Sequence, residues 1–214
     1  MQTVRVGVLG SGDVGKVLAA GFASLGHEVK IGSRDPEKLR EWASSSARLS
    51  AGTFAEAAQF GDILVLALLG TATEDAIKLA GLDAFDNKVV IDATNPLDFS
   101  KGMPPTLFVG TTDSLGEQIQ RLVPKARIVK AFNTVGNAHM INPQFPGGPP
   151  DMFLCGNDAD AKKIVTQICD AFGWGVVDIG GIDASRYLEP MCMTWVLYGV
   201  RNSSWNHAFK LLRK

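Results

Sequence analysis

Across Gly10 to Gly15 the hydrophobic period of the chain changes from that of a strand to that of a helix. On one side Val4, Val6 and Val8 alternate with Arg5 and Gly7; on the other Val14, Val17, Leu18, Phe22 and Leu25 recur at helical spacing. Gly26 supplies a helix stop, and Glu28-Val29-Lys30-Ile31 reads as a second short strand running into Gly32-Ser33. The result is a complete βαβ unit.

The pattern continues. Ile63 to Leu68 and Val89 to Ala93 are apolar on both faces, as strands of a buried parallel sheet are, with a helical segment of about Glu74 to Ala80 between them. Asp35-Pro36 looks like a helix start, with Asp35 as cap and Pro36 in the first turn. Ser114-Leu115-Gly116-Glu117 matches a capping box; its helix stops before Pro124, and Ile128 to Phe132 supplies another strand. After a turn at Gly147 to Pro150, Met152 to Cys155 reads as a strand and Asp158 as a cap. Ala161, Ile164, Val165, Ile168, Cys169 and Phe172 then form one helical stripe, Val176 to Ile179 a strand, and Ala184 to about Val200 a long apolar helix. The expectation is an α/β chain: a Rossmann-type doubly wound, mainly parallel sheet over residues 1–126, with a small C-terminal α/β lobe over 127–214 resting against it.

Composition narrows the function. The 214 residues are 46% hydrophobic, with 21 Lys and Arg against 22 Asp and Glu, a formal net charge of −1. A chain of this length buries about 70% of its unfolded surface and needs no disulfide or structural metal. Its basic residues are spread out, which argues against nucleic acid as a partner. Cys155, Cys169 and Cys192 show no ligand spacing and read as packed, reduced thiols. The apolar runs Ile63 to Leu69 and Met191 to Val200 fall well short of the roughly 18 residues of a membrane span. No signal peptide is recognisable, so a soluble cytoplasmic protein is expected.

Gly10-Ser11-Gly12-Asp13-Val14-Gly15 is a GxGxxG in the context that gives it a mechanism, after a strand and opening a helix. Gly10 permits the tight turn, Gly12 admits a pyrophosphate to the backbone, and Gly15 lets helix pack on strand. Helix-terminal amides then face the phosphates; a ligand-free glycine turn is the plain alternative. At the end of the second strand an NAD site would place Asp or Glu on the ribose, whereas this chain has Gly32-Ser33-Arg34, with Lys38 one turn on. Ser33, Arg34 and Lys38 suit a 2′-phosphate, so NADP(H) is predicted over NAD(H); the competing reading makes Arg34 and Lys38 an ordinary solvated basic face. The segments after the later strands, Ala67-Leu68-Leu69-Gly70-Thr71-Ala72-Thr73, Ala93-Thr94-Asn95-Pro96-Leu97 and Asn133-Thr134-Val135-Gly136-Asn137, should line the site. They suit a nicotinamide ring and its carboxamide and offer no acid or base. Asn95 and Asn133 serve equally well as turn residues. Of the histidines, His27 looks solvated, His207 lies near the basic C-terminus, and only His139 is placed to face the site.

Val8 to Gly15, the turn Leu25-Gly26-His27-Glu28-Val29, and Gly32-Ser33-Arg34 with Lys38 together resemble the coenzyme F420-dependent NADP oxidoreductases. Lys130-Ala131-Phe132-Asn133-Thr134 and Phe153-Leu154-Cys155-Gly156-Asn157-Asp158 resemble the related NADPH-binding domain of the STEAP metalloreductases. The resemblance runs over most of the chain. It implies NADPH seated by Ser11 to Val14, Ser33, Arg34 and Lys38, with contacts from Thr73, Ile77, Leu97 and Asn133 to Asn137. It also implies a deazaflavin (F420) or a flavin stacked under the C-terminal lobe, and a homodimer. Two departures matter: Asn133-Thr134 replaces the His-Thr pair of the deazaflavin enzymes, and the chain ends at Lys214 without the membrane span of the metalloreductases. Asn206 to Leu212 resembles the family's terminal segment, which would complete the second pocket.

Hydride transfer between a nicotinamide and a deazaflavin or flavin mainly requires stacked rings and excluded water, and no catalytic side chain is assigned. Two alternatives stand beside this small-molecule redox function: a dehydrogenase of a small carbonyl or imine, with His139 or Tyr187 as proton donor, and a non-catalytic NADPH-binding sensor.

Overall fold

The computed structural model describes residues 2–214. Strand β1 (Arg5–Leu9), helix α1 (Asp13–Ser24) and strand β2 (Glu28–Gly32) form the first βαβ unit. A 3-10 turn (Pro36–Leu39) leads into α2 (Arg40–Ala43), followed by β3 (Leu49–Gly52), α3 (Phe54–Phe60), β4 (Ile63–Leu66), α4 (Gly70–Ala80) and β5 (Val89–Asp92). A small ribbon of β6 (Leu97–Asp98) and β7 (Thr106–Leu107) precedes α5 (Leu115–Leu122) and β8 (Arg127–Lys130). The chain closes with β9 (Asp151–Gly156), α6 (Ala159–Ala171), β10 (Gly175–Asp178) and α7 (Ser185–Asn202).

Eight strands make one sheet in the order β10-β9-β8-β5-β4-β1-β2-β3. Every neighbouring pair is parallel except β8 and β9, which run antiparallel with Lys130 opposite Cys155. The strands after residue 126 therefore extend the same sheet. Alternation along the buried strands divides the core in two. Val65, Ile91 and Val129 face Leu18 and Phe22 of α1, Ile168 of α6 and its C-cap Phe172; Leu64, Leu66 and Val90 face Ala76 and Ile77 of α4 and Ile119 of α5. Each of these strand side chains is at most 1% exposed, and burying one contributes about 1.5–3 kcal/mol. This double burial is why the strands read as unbroken apolar runs. Among the described residues no helix is long and apolar enough to cross a membrane.

Several local expectations are corrected. Helix α4 starts at Gly70 rather than Glu74; its N-cap is Leu69, with no polar cap to announce it. Asp35 makes no cap bond, and its carboxylate pairs with Lys38 at 3.1 Å. The strand after Pro124 stops at Lys130, because Phe132 turns the backbone into the left-handed region (φ 63°). Ser114 accepts from the Glu117 N–H and donates its hydroxyl to the Glu117 carboxylate at 2.7 Å, but that carboxylate pairs with Arg186 rather than accepting from the Ser114 backbone N–H. His27 is buried, not solvated: its ring packs near Phe22, and Nδ1 accepts from the Val4 N–H at 3.2 Å.

Candidate functional site

β1 sits between β4 and β2, so the connections leaving β1 and β4 depart to opposite faces of the sheet, and the carboxyl ends of these strands border an open crevice. That crevice holds a cleft of about 540 Å³, lined by Gly10 to Val14 on one side and by Ala67, Leu68, Leu69 and Ala72 on the other, with Arg34, Ala93 and Asn137 at its margins. A second cavity of about 420 Å³ shares Gly10, Ser11, Arg34, Leu68 and Ala72 with it and runs out between Ser33, Lys38, Phe54 and Asp75. The two are continuous along the strand ends.

The glycines of the loop separate into those the fold needs and one it does not. Gly10 has φ 123°, and a Cβ there would collide with the Ala67 carbonyl; a Cβ on Gly15 would collide with the Gly10 carbonyl. Gly12 has φ −73° and open space where its Cβ would be. Its smallness serves nothing inside the protein, as expected if a ligand fills that space. No side chain caps α1, so the N–H groups of its first turn and the positive end of its dipole are offered to the cleft.

At the outer end, Ser33 is 8% exposed, its Oγ lying 3.3 Å from Ser11 Oγ and accepting from the Asp35 N–H at 3.1 Å. Arg34 is exposed, borders both cavities and has no hydrogen bond or ion pair among the described residues. Lys38 borders the second cavity but is held by Asp35, and Asp75 lies on the same wall. Among the described residues this end presents one guanidinium without a partner rather than a cluster of cations.

The residues expected deeper in the site divide. Leu68 and Asn137 line the cleft. Thr73 and Ile77 are fully buried in α4, the Thr73 hydroxyl donating to the Leu69 carbonyl at 3.0 Å, and neither borders either cavity. Leu97 lies in the small ribbon, half-buried and off the cleft wall. Asn95 and Asn133 hold each other: Asn95 Nδ2 donates to the Asn133 carbonyl (2.8 Å), and Asn133 Nδ2 donates to Asn95 Oδ1 and to the Leu188 carbonyl (both 3.0 Å). Asn133 Oδ1 is buried with no partner. His139 is half-buried against Phe145, its Nε2 3.2 Å from Asn206 Oδ1, and Tyr187 is 74% exposed; neither borders the cleft. All three thiols are buried, and burial pushes Cys155 up to about 11 and Cys192 up to about 12.

Behind Asn95 and Asn133 lies a group the sequence reading missed. Asp92 at the end of β5, Lys130 at the end of β8 and Glu189 of α7 are at most 1% exposed. Lys130 Nζ is 2.7 Å from Asp92, 3.1 Å from Glu189 and 2.8 Å from the Thr94 carbonyl. Burial lowers the lysine pKa, but the two carboxylates outweigh it and the net direction is upward; burial raises that of Glu189. A charge closing each of two otherwise apolar runs, Val89 to Asp92 and Ile128 to Lys130, was the available signal.

Residues 5–96 match the family model described as NADP oxidoreductase, coenzyme F420-dependent. The F420-dependent NADP reductase of Methanocaldococcus jannaschii is 30% identical over 201 residues, covering 88% of this chain and 89% of that one. Metalloreductase STEAP3 of Rattus norvegicus is 27% identical over 191 residues, covering 89% of this chain; the chain spans 36% of that protein's length. A crystal structure from Arthrobacter sp. FB24, described as that of a candidate F420-dependent NADP reductase, superposes with a TM-score of 0.93 at 37% identity, covering 98% of this chain and all of the other. With the crevice, the glycine loop and these relatives in agreement, the chain belongs to the coenzyme F420-dependent NADP oxidoreductase family.

Proposed function

We propose that the crevice binds NADP(H) and that the protein passes hydride between it and a deazaflavin or flavin. The observation that carries this reading is that one continuous cleft brings together a glycine the fold does not need, Gly12, and a cation with no partner among the described residues, Arg34. The first-turn amides of α1 take the diphosphate, and Ser33 and Arg34 take the 2′-phosphate. Leu68, Leu69 and Ala93 offer an apolar floor to the nicotinamide end. When bound, the dinucleotide supplies hydride from its C4, and the acceptor takes that hydride together with one proton from solvent. The chain's own contribution is to orient and to exclude water.

The acceptor side is assigned to residues 127–214. A Cβ on Gly136, next to the cleft residue Asn137, would lie 3.1 Å from the Trp195 ring; Trp195 Nε1 donates to the His207 carbonyl, and Asn206 meets His139. This aromatic wall stands at the same end of the sheet as the cleft. A homodimer seam is assigned to the outer face of α7, where Tyr187, Leu197 and Tyr198 are 74%, 43% and 54% exposed; light scattering on a sizing column reads it directly. The functional test is to titrate NADPH and NADH and then offer F420, FMN, FAD and quinones. Tighter NADPH binding with F420 or flavin reduction is expected, and binding of neither dinucleotide, or NADPH oxidation by none of these acceptors, refutes the reading.

A further inference from the structure

We propose that Lys130 is a positioning residue: from the buried group it shares with Asp92 and Glu189, it fixes the Ala93–Asn95 segment and so sets where the nicotinamide end of the dinucleotide rests. The inference rests on the NADP(H) reading above. Stability is a poor reason for keeping three charges out of water, because well-packed apolar side chains often serve a fold as well or better. What the charges achieve is a connection aimed at the cleft. Lys130 Nζ donates to the Thr94 carbonyl at 2.8 Å, while Asp92 Oδ1 accepts from the Thr94 N–H at 2.9 Å and the Thr94 hydroxyl at 2.6 Å. Both backbone polar groups of Thr94 are thus clamped. The residue before it, Ala93, lines the cleft, and the residue after it, Asn95, is locked to Asn133.

On the far side the same group is anchored. Glu189 accepts from the Leu115 and Gly116 N–H groups at 3.0 and 2.9 Å, joining α7 to the start of α5. A Cβ on Gly116 would lie 2.5 Å from Ser185 Oγ and 3.0 Å from Lys130 Cε, so the helix start leaves room for both side chains. The ammonium is ion-paired with both carboxylates and donates a hydrogen bond to the Thr94 carbonyl, the contact that reaches the cleft wall.

The test separates this donor from the charge. In the neutral background Asp92→Asn/Glu189→Gln, in which the first amide oxygen keeps both bonds from Thr94 and the second keeps one of its two backbone donors, Lys130→Met removes the donor to Thr94 and Lys130→Gln replaces it. Three quantities are read: the NADPH dissociation constant, the fluorescence of bound NADPH as a report on the nicotinamide surroundings, and single-turnover hydride transfer to F420. The Met variant is expected to hold NADPH within about threefold of wild type, since the phosphate contacts are distant. Its bound NADPH should fluoresce like the free form, and hydride transfer should slow at least about tenfold, as a small misplacement of reacting groups does. The Gln variant should recover both. A purely structural role makes the two variants alike, which overturns the proposal. If the double background does not fold, Asp92→Asn alone serves as the background, where the same difference in fluorescence between Lys130→Met and Lys130→Gln is expected; alike spectra there overturn the proposal. A wild-type protein that gives no NADPH signal sinks the NADP(H) reading itself, whereas a wild type that binds beside indistinguishable Met and Gln variants sinks this inference alone.

Discussion

Replacing Arg34 with alanine isolates the contact that selects the cofactor. The side chain is exposed and makes no bond among the described residues, so its loss should leave the melting temperature within about one degree of wild type, as for most surface substitutions. In the complex its planar fork can give two charge-assisted hydrogen bonds to a 2′-phosphate, about 3 kcal/mol together at the lower end of the usual range. Solvent access at the rim argues for that lower end. Ordering the long side chain takes back about 1.5 kcal/mol, which leaves about 1.5 kcal/mol, or roughly tenfold in affinity. NADH, lacking the phosphate, should bind within about twofold of wild type. Calorimetric titration of both dinucleotides at one fixed salt concentration reads the ratio. An equal loss for NADPH and NADH, or no loss for either, would show that Arg34 does not contact the distinguishing phosphate.

Three further substitutions probe other parts of the account. Gly12→Ala adds a methyl group where the apoprotein has open space at an ordinary backbone angle, so its melting temperature should hold while NADPH affinity falls at least about tenfold; retained affinity would mean that no ligand approaches that backbone. Asp35→Asn releases Lys38 and removes a carboxylate from the outer cavity, so NADPH should bind several-fold more tightly with NADH little changed, and weaker NADPH binding would contradict this placement of the phosphate. Burial, with Arg48 nearby, holds His27 below its usual value of 6.5. The unfolded chain therefore binds its proton first on acidification, and stability is fully present above about pH 6.5 and declines as the pH falls below it. Urea midpoints across that window should fall in the wild type and fall less in His27→Gln; parallel curves would refute the assignment.

What could be read in the sequence is what local physics writes there. The glycine loop, the βαβ unit and the buried runs of β4, β5 and β8 depend on periodicity and steric need, and the Ala161 to Phe172 stripe lies on α6 as its spacing requires. The β3–α3 pair was missed although Thr53 and Glu56 form a complete capping box, because Leu49 to Gly52 is short and half-buried and shows no alternation. The antiparallel entry of β9 depends on the loop between Phe132 and Asp151, which carries no pairing signal of its own. At the site, Gly10 to Gly15 and Ser33-Arg34 lie together as their spacing required. The involvement of Asp35, Asp75 and Phe54 did not show, because each comes from a different connection and meets the others only in the folded crevice. Lys130 was hidden for the same reason: its partners lie on β5 and α7, and only the sheet order makes them neighbours.

In the proposed reaction hydride passes directly from one ring to the other within one crevice. NADPH carrying deuterium at C4 can be mixed anaerobically with the protein and F420, and the reduced deazaflavin examined by mass spectrometry. Deuterium from one of the two C4 faces, recovered in the deazaflavin carbon without dilution by solvent hydrogen, is the predicted result. Reduced F420 bearing only solvent hydrogen whichever C4 face is labelled, or no reduction at all, would contradict it.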